Sequence, residues 1–203
     1  MHFARILASL ALISHTSAFR VPAGTTDGFY KVYLNAQGEE IHERVSDVKD
    51  HATSRAPAIA EAKVPGETAL DKRQNGERYY STHCGCGIEL NHTNCDDAVQ
   101  DLKNQMYDIL WYLPAETAFY SIRDDVVAFS CNITPDSWYA QSAEFVTEIL
   151  GWVTNECGWY IAGTGSFFTR QGGFFSTTYI GYMVWRNGVD FCHDSIRSDR
   201  SQC

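Results

Sequence analysis

The reactive side chains of this sequence crowd into its C-terminal two thirds. Its seven cysteines stand at positions 84, 86, 95, 131, 157, 192 and 203, with histidines at 83, 92 and 193 among them. Thiols in such numbers serve either soft metals or disulfides. His83-Cys84-Gly85-Cys86, with His92 and Cys95 close behind, groups soft ligands, but the spacing matches no common zinc pattern. No cysteine precedes Cys84, and the chain opens on a leader of the secretory type. In an oxidising lumen these thiols read as a disulfide framework built from Cys84, Cys86, Cys95, Cys131, Cys157, Cys192 and Cys203. The odd count leaves one thiol free, capped or bonded to another chain. No metal and no other cofactor is expected.

Hydrolytic chemistry has thinner support. His83, Glu89 and His92 lie near one another, and a ribonuclease needs two acid/base groups plus cations for the phosphate. No Gly-x-Ser-x-Gly elbow, His-Glu-x-x-His helix or phosphate-binding loop is present. Asp96-Asp97 and Asp124-Asp125 read as a helix start and a solvated turn. A non-catalytic protein is the expectation, with no catalytic residue assigned.

Processing signals divide the chain. His2 and Arg5 precede an apolar run from Ile6 to Ile13, and Thr16-Ser17-Ala18 supplies the small residues for a cut after Ala18. These eight residues, all apolar but Ser9, span only ~12 Å as helix against a bilayer core of ~30 Å, so no membrane anchor is expected. Lys72-Arg73 is a dibasic pair of the kind cut late in secretion. Residues 1–18 therefore read as a signal peptide, 19–73 as a pro-segment and 74–203 as one mature domain. Within the pro-segment, Ala56 to Ala62 is a low-complexity linker. Phe29 to Glu43 alternates like a strand, turns at Asn35-Ala36-Gln37-Gly38 and continues, which suggests a hairpin. A lone hairpin is marginal in water, so it either docks on the mature domain as an intramolecular chaperone or belongs to a soluble spacer.

Residues 1–73 carry nine basic and nine acidic side chains; residues 74–203 carry seven and sixteen, so the whole net charge of −9 belongs there. That field repels nucleic acid and anionic lipid. It favours cationic partners and protein surfaces.

The elements of 74–203 alternate in type. Gly87 to Leu90 reads as a short strand. Ala98, Val99, Leu102, Met106, Ile109, Leu110 and Leu113 recur at helical spacing after Thr93 and Asn94, with Pro114 as the stop. Ala118–Ile122 and Val126–Cys131 read as strands. Thr134-Pro135-Asp136 is read as opening a second helix whose face is Trp138, Ser142, Phe145, Val146, Ile149, Trp152 and Val153. Gly158–Thr169 and Phe174–Trp185 form a hairpin pattern with a loop longer than two residues, and Val189–Cys192 extends the last strand. The order β-α-β-β-α-β-β implies an α+β fold: a disulfide-stabilised α/β sandwich, an antiparallel sheet of about four to five strands with two helices on one face.

Geometry constrains the bridges. Cys84 and Cys86 point to one face of a strand and should seek different partners. Cys131 and Cys157 bracket the second helix, which disfavours their union. Cys95–Cys131 and Cys157–Cys192 are plausible pairs, and Cys203 is expected to tie the tail to Cys84 or Cys86. Two glycosylation sequons, Asn91-His92-Thr93 and Asn132-Ile133-Thr134, require exposure. The aromatics Trp159, Tyr160, Phe174 and Phe175 near the last hairpin are the candidate contact residues; as core residues they would be equally ordinary.

Several short stretches carry a resemblance. Asp27-Gly28-Phe29-Tyr30-Lys31-Val32, Asn35 to Gly38 and Lys72-Arg73 resemble the pro-segment of a class of small secreted fungal proteins regarded as candidate effectors. Val127 to Asn132, Cys157 to Gly163 and Phe191-Cys192 resemble stretches of that class's mature part. The element order is similar to that of the α/β-sandwich killer toxins of fungi. Cys84-Gly85-Cys86 and the terminal Cys203 depart from the pattern. The resemblance implies kexin-type processing, secretion and a virulence-related role against a host or competitor protein. It implies no shared catalytic residues.

Overall fold

The computed structural model describes residues 19–46, 77–106, 111–135, 137–171 and 174–203. The expected cuts at Ala18, Lys72 and Arg73 lie outside them. The core of the sheet is the antiparallel pair β5 (Thr117–Arg123) and β6 (Val126–Asn132), in register from Thr117 opposite Asn132 to Arg123 opposite Val126. Every residue of both strands is buried. Two strands buried on both faces need cover above and below, and the rest of the chain supplies it.

Seven strands result, where four to five were expected. The order is β2-β1-β5-β6-β9-β8-β3, with β1 at Gly28–Leu34, β2 at Glu40–Ser46, β3 at Glu77–Glu89, β8 at Ile161–Gln171 and β9 at Phe174–Val184. All neighbours within it pair antiparallel. The two additional strands, β1 and β2, come from the segment read as a pro-segment. The hairpin read at Phe29–Glu43 exists and is docked: β1 pairs with β5 from Gly28 opposite Ile122 to Tyr33 opposite Thr117. A second sheet joins β4 (Trp111–Leu113) to β7 (Tyr139–Gln141).

One face of the large sheet carries α1 (His92–Asn104) and α2 (Ala143–Cys157). Their apolar stripes, Ala98, Val99 and Leu102 on α1 and Val146, Ile149, Leu150 and Val153 on α2, pack over Phe29, Phe119, Val126, Ala128 and Ile180. Strand alternation sends the other set outward. Tyr30, Val32, Ala118, Tyr120, Ile122, Val127 and Phe129 form a second core with Phe19, Val21, Val189 and Phe191. Small residues let α2 lie close to β8. A Cβ at Gly165 would meet Ile149 Cγ2 at 2.5 Å, and one at Gly163 would meet Val153 Cγ1 at 2.7 Å.

Several element expectations are revised. β3 is thirteen residues long and runs through the Cys84-Gly85-Cys86 motif, not only after it. α1 starts at His92, one to two residues before the expected Thr93 or Asn94, because Asn91 is its cap, its side chain accepting from Asn94 N at 3.1 Å. It ends at Asn104, and Leu113 belongs to β4. α2 starts after Ser142, whose Oγ accepts from Phe145 N at 3.2 Å. Thr134-Pro135 precedes no helix, because Asn132 Nδ2 grips the Ser137 carbonyl at 2.7 Å and the chain then enters β7. The β8–β9 loop has two residues, since Gln171 pairs with Phe174. Residues 191–194 form a short helix, α3 (Phe191–Asp194), capped by Asp190, rather than a strand.

The bridges are Cys84–Cys157, Cys86–Cys203 and Cys131–Cys192, with Cα separations of 5.3, 5.5 and 6.0 Å. Cys84 and Cys86 take different partners, and Cys203 ties the tail to Cys86. Cys95–Cys131 and Cys157–Cys192 do not form. Cys95 faces the helix-side core while Cys131, one strand residue out of phase with Ala128, faces the opposite core. Cys95 is the free thiol and is fully buried. Burial pushes its pKa well up, and the neighbouring Asp96 charge adds to this. A protonated thiol sealed in the core cannot attack a partner's sulfur, so of the three fates open to the odd cysteine, free, capped or bonded to another chain, Cys95 takes the first. In native protein Cys95 should resist iodoacetamide; after denaturation without reductant one equivalent per chain should react, read by mass. Labelling of the folded protein would contradict this burial.

α1 is pinned to β5 by one charge pair. Arg123 Nε donates to Asp101 Oδ2 at 2.6 Å, with both side chains buried. Burial works against the guanidinium charge, but the Asp101 hydrogen bond and charge outweigh it, and the Arg123 pKa is raised. Removing one partner strands a buried charge at a cost of about 3–5 kcal/mol. Asp101→Ala should lower the denaturant midpoint accordingly, whereas replacing an acid exposed on the tail, Asp199→Ala, should change stability by less than about 0.5 kcal/mol.

Candidate functional site

The loop from α2 to β8 carries the candidate contact residues. α2 ends at Cys157, held to β3 by its bridge, and Gly158 turns the chain at φ 103°. Trp159 follows, 52% exposed. Tyr160 then sits in the left-handed region at φ 55°, a conformation that costs about 1–2 kcal/mol for a residue with a Cβ. Three contacts hold it. Its carbonyl accepts from Leu90 N at 2.8 Å, its ring stacks on His92 with centroids 3.9 Å apart, and its hydroxyl donates to Asp96 Oδ2 at 3.2 Å. Burial, then the Asp96 charge and hydrogen bond, push the Tyr160 pKa up to about 12. The phenol is therefore a neutral donor across the physiological range.

Around this pair, His92 Nε2 lies 3.2 Å from Glu89 Oε1, with both side chains largely exposed. The bulge of β3 between Cys84 and Glu89 adds Ile88, 49% exposed. The patch is an exposed indole, a fixed phenol, an imidazole and an isoleucine, rimmed by Glu89 and Asp96. Large apolar groups left in water beside rigidly held polar ones are what an interface uses.

Phe174 and Phe175 are elsewhere. They open β9 opposite Gln171 and Arg170, at the far end of β8 from Tyr160. Eleven residues of strand place the two pairs about 33 Å apart. The four aromatics thus divide between opposite ends of one hairpin.

Two other groupings change under the fold. The ligand cluster around His83 disperses: Cys84 and Cys86 are in bridges, and His83 Nδ1 pairs with the Ser198 carbonyl at 2.9 Å. Among the described residues no group of three or more His, Cys, Asp or Glu could hold a metal. Of His83, Glu89 and His92, only the last two touch.

Sequence reasoning missed two polar and aromatic clusters. His42 Nδ1 lies 2.7 Å from the Tyr120 hydroxyl, and its Nε2 contacts Glu40 Oε1. With Nε2–H donated to the carboxylate, Nδ1 accepts from the phenol. The alternation of Glu40 and His42 along β2 was the available signal, but Tyr120 is 78 residues away. Phe167 is ringed by Tyr80, Tyr139 and Phe145 at 4.9, 5.6 and 5.3 Å. Trp138, 62% exposed, lies one residue before that ring.

The two sequons differ. Asn91 is exposed at the start of α1. Asn132 is wholly buried, and its Nδ2, the atom a glycan would occupy, donates to the carbonyls of Leu113, Pro114 and Ser137 at 3.1, 3.0 and 2.7 Å. The exposure expected of Asn132 is not met; its amide is a structural clamp.

No protein-family model, curated protein or solved structure matches this chain.

If the secreted protein is glycosylated, Asn91 alone should carry the glycan. Asn91→Gln should abolish any mass shift on enzymatic deglycosylation, and a glycan found on Asn132 would contradict the buried clamp.

Proposed function

We propose that this is a secreted, non-catalytic binding protein whose Trp159–Tyr160 patch engages a protein partner in a host or a competing microbe. The observation that carries the reading is the pairing of a half-exposed indole with a tyrosine held at unfavourable φ. Backbone strain of this sort persists where the surroundings over-determine it, and it gathers at ligand contacts. Tryptophan and tyrosine are the residues on which binding energy concentrates. The acidic balance of residues 74–203 favours a partner with a cationic face.

Secretion is supported by three disulfides, which persist in oxidising compartments. Among the described residues no helix is long and apolar enough to cross a membrane. The resemblance to fungal candidate effectors, with processing after Lys72-Arg73, points the same way and makes virulence the expected setting. The likeness in element order to killer toxins makes a competing microbe the alternative target.

Trp159→Ala removes a half-exposed indole whose main packing partner is the Tyr160 ring, so it should cost no more than about 1 kcal/mol of stability. Affinity for the partner should fall by a factor of ten or more, corresponding to ~1.4 kcal/mol or above at an aromatic hot spot. The partner would be sought by cross-linking to extracellular fractions of host tissue, and yeast growth inhibition would identify a microbial target. Turnover of RNA or cell-wall glycans that survives Trp159→Ala would overturn the non-catalytic reading.

A further inference from the structure

Residues 19–46 contain no cysteine, and all three bridges lie between Cys84 and Cys203. The N-terminal piece is thus joined to the body by the connecting chain 47–76 and by contacts alone. Those contacts are extensive and fall on both faces of the sheet. β1 pairs with β5 at six positions. Phe29 enters the helix-side core and stacks on Phe119 at 5.6 Å. Phe19, Val21, Tyr30 and Val32 enter the opposite core, where Tyr30 stacks on Tyr120 at 5.0 Å. Val21 N donates to Val189 O at 3.0 Å, and Gly188 N to Val21 O at 3.1 Å, which fixes the first residues against the C-terminal segment. Polar groups complete the seam: His42 with Tyr120, Asp27 Oδ1 accepting from Asp124 N at 3.0 Å, and Gln105 Nε2 donating to Ser46 Oγ at 2.8 Å.

Cutting the connection leaves all of these contacts intact. β2 and β3 are the two opposite edges of the sheet, separated by about 29 Å at ~4.8 Å per strand. The dibasic pair lies in the chain that runs from one edge to the other. Departure of the hairpin would lay open the edge of β5 and uncover Tyr120, Ile122, Phe129 and Phe191, all wholly buried. An exposed apolar edge strand is an aggregation hazard.

We propose that hydrolysis after Arg73 does not release the N-terminal piece: it stays seated on β5 as a non-covalent light chain, and the working protein is a two-chain complex. The proposal rests on the reading of dibasic processing for its biological setting, and on the hairpin contacts for its physics. The groove it fills takes one occupant, residues 19–46 of the same chain.

The test separates the two. Uncut full-length protein would be cleaved in vitro, by a dibasic-specific peptidase or at a site-specific protease sequence placed over residues 70–73. Denaturing mass spectrometry should give two chains whose masses sum to the uncut chain plus one water. Native mass spectrometry and gel filtration should give one 1:1 particle that melts close to the uncut protein. Phe29→Ala in the same cut protein should weaken retention roughly a hundredfold or more, from loss of a buried aromatic. Separation of the light chain from cut parent protein, with the body either folded or precipitated, overturns the proposal. Absence of cutting in a secretory host would overturn the processing reading and with it the two-chain working form, whereas retention of the light chain is decided by the in vitro cut alone.

Discussion

Burial of β5 and β6 on both faces is the constraint on which this structure depends. A two-stranded core with no solvent-facing residue cannot be covered by helices on one side only. α1 and α2 satisfy one face, and the Arg123–Asp101 pair locks α1 there. The other face is satisfied by material from both ends of the described chain: Phe19, Val21 and the hairpin from one, Val189, Phe191 and Cys192 from the other. The Cys131–Cys192 bridge fastens the C-terminal part of that cover directly to β6.

The same constraint explains the edges. β3 ends the sheet on one side, and its outer backbone and side chains are met by the tail: Cys84 N donates to Arg200 O at 2.7 Å, Thr82 Oγ1 to Ser201 O at 2.6 Å, and Ser198 Oγ to Cys84 O at 2.7 Å. Cys86–Cys203 closes that arrangement. A strand edge covered by a bonded tail offers no template for another chain. On the opposite side β1 and β2 perform this role for β5. The loop where α2, β3 and β8 converge is left with Trp159 half exposed beside the strained Tyr160.

Much of the fold was legible. Ala118–Ile122 and Val126–Cys131 read as strands, and the single apolar stripes of the two helices implied that both lie on one face of the sheet. Trp159 and Tyr160 were singled out as candidate contacts, and the structure places them together with His92. What failed had particular causes. Thr134-Pro135-Asp136 has the chemistry of a helix start, but a buried Asn132 holds the Ser137 carbonyl that follows and the helix waits for Ser142. Phe174 looked close to Trp159 because both flank one hairpin; they flank its opposite ends. Tyr120 gave no sign of its histidine partner, since that partner lies on a strand two places away in the sheet.

The sequence by itself determined the local periods, the oxidising chemistry of the cysteines, the acidic field of residues 74–203 and the existence of a hairpin at Phe29–Glu43. These are properties of neighbours along the chain, set by side-chain spacing and by composition. Only the tertiary structure decided which thiols meet, which asparagine is sealed, and whether the hairpin is spacer or scaffold. Those outcomes depend on strand order and on which face each strand turns to the helices, and both are fixed by burying β5 and β6 from two sides at once.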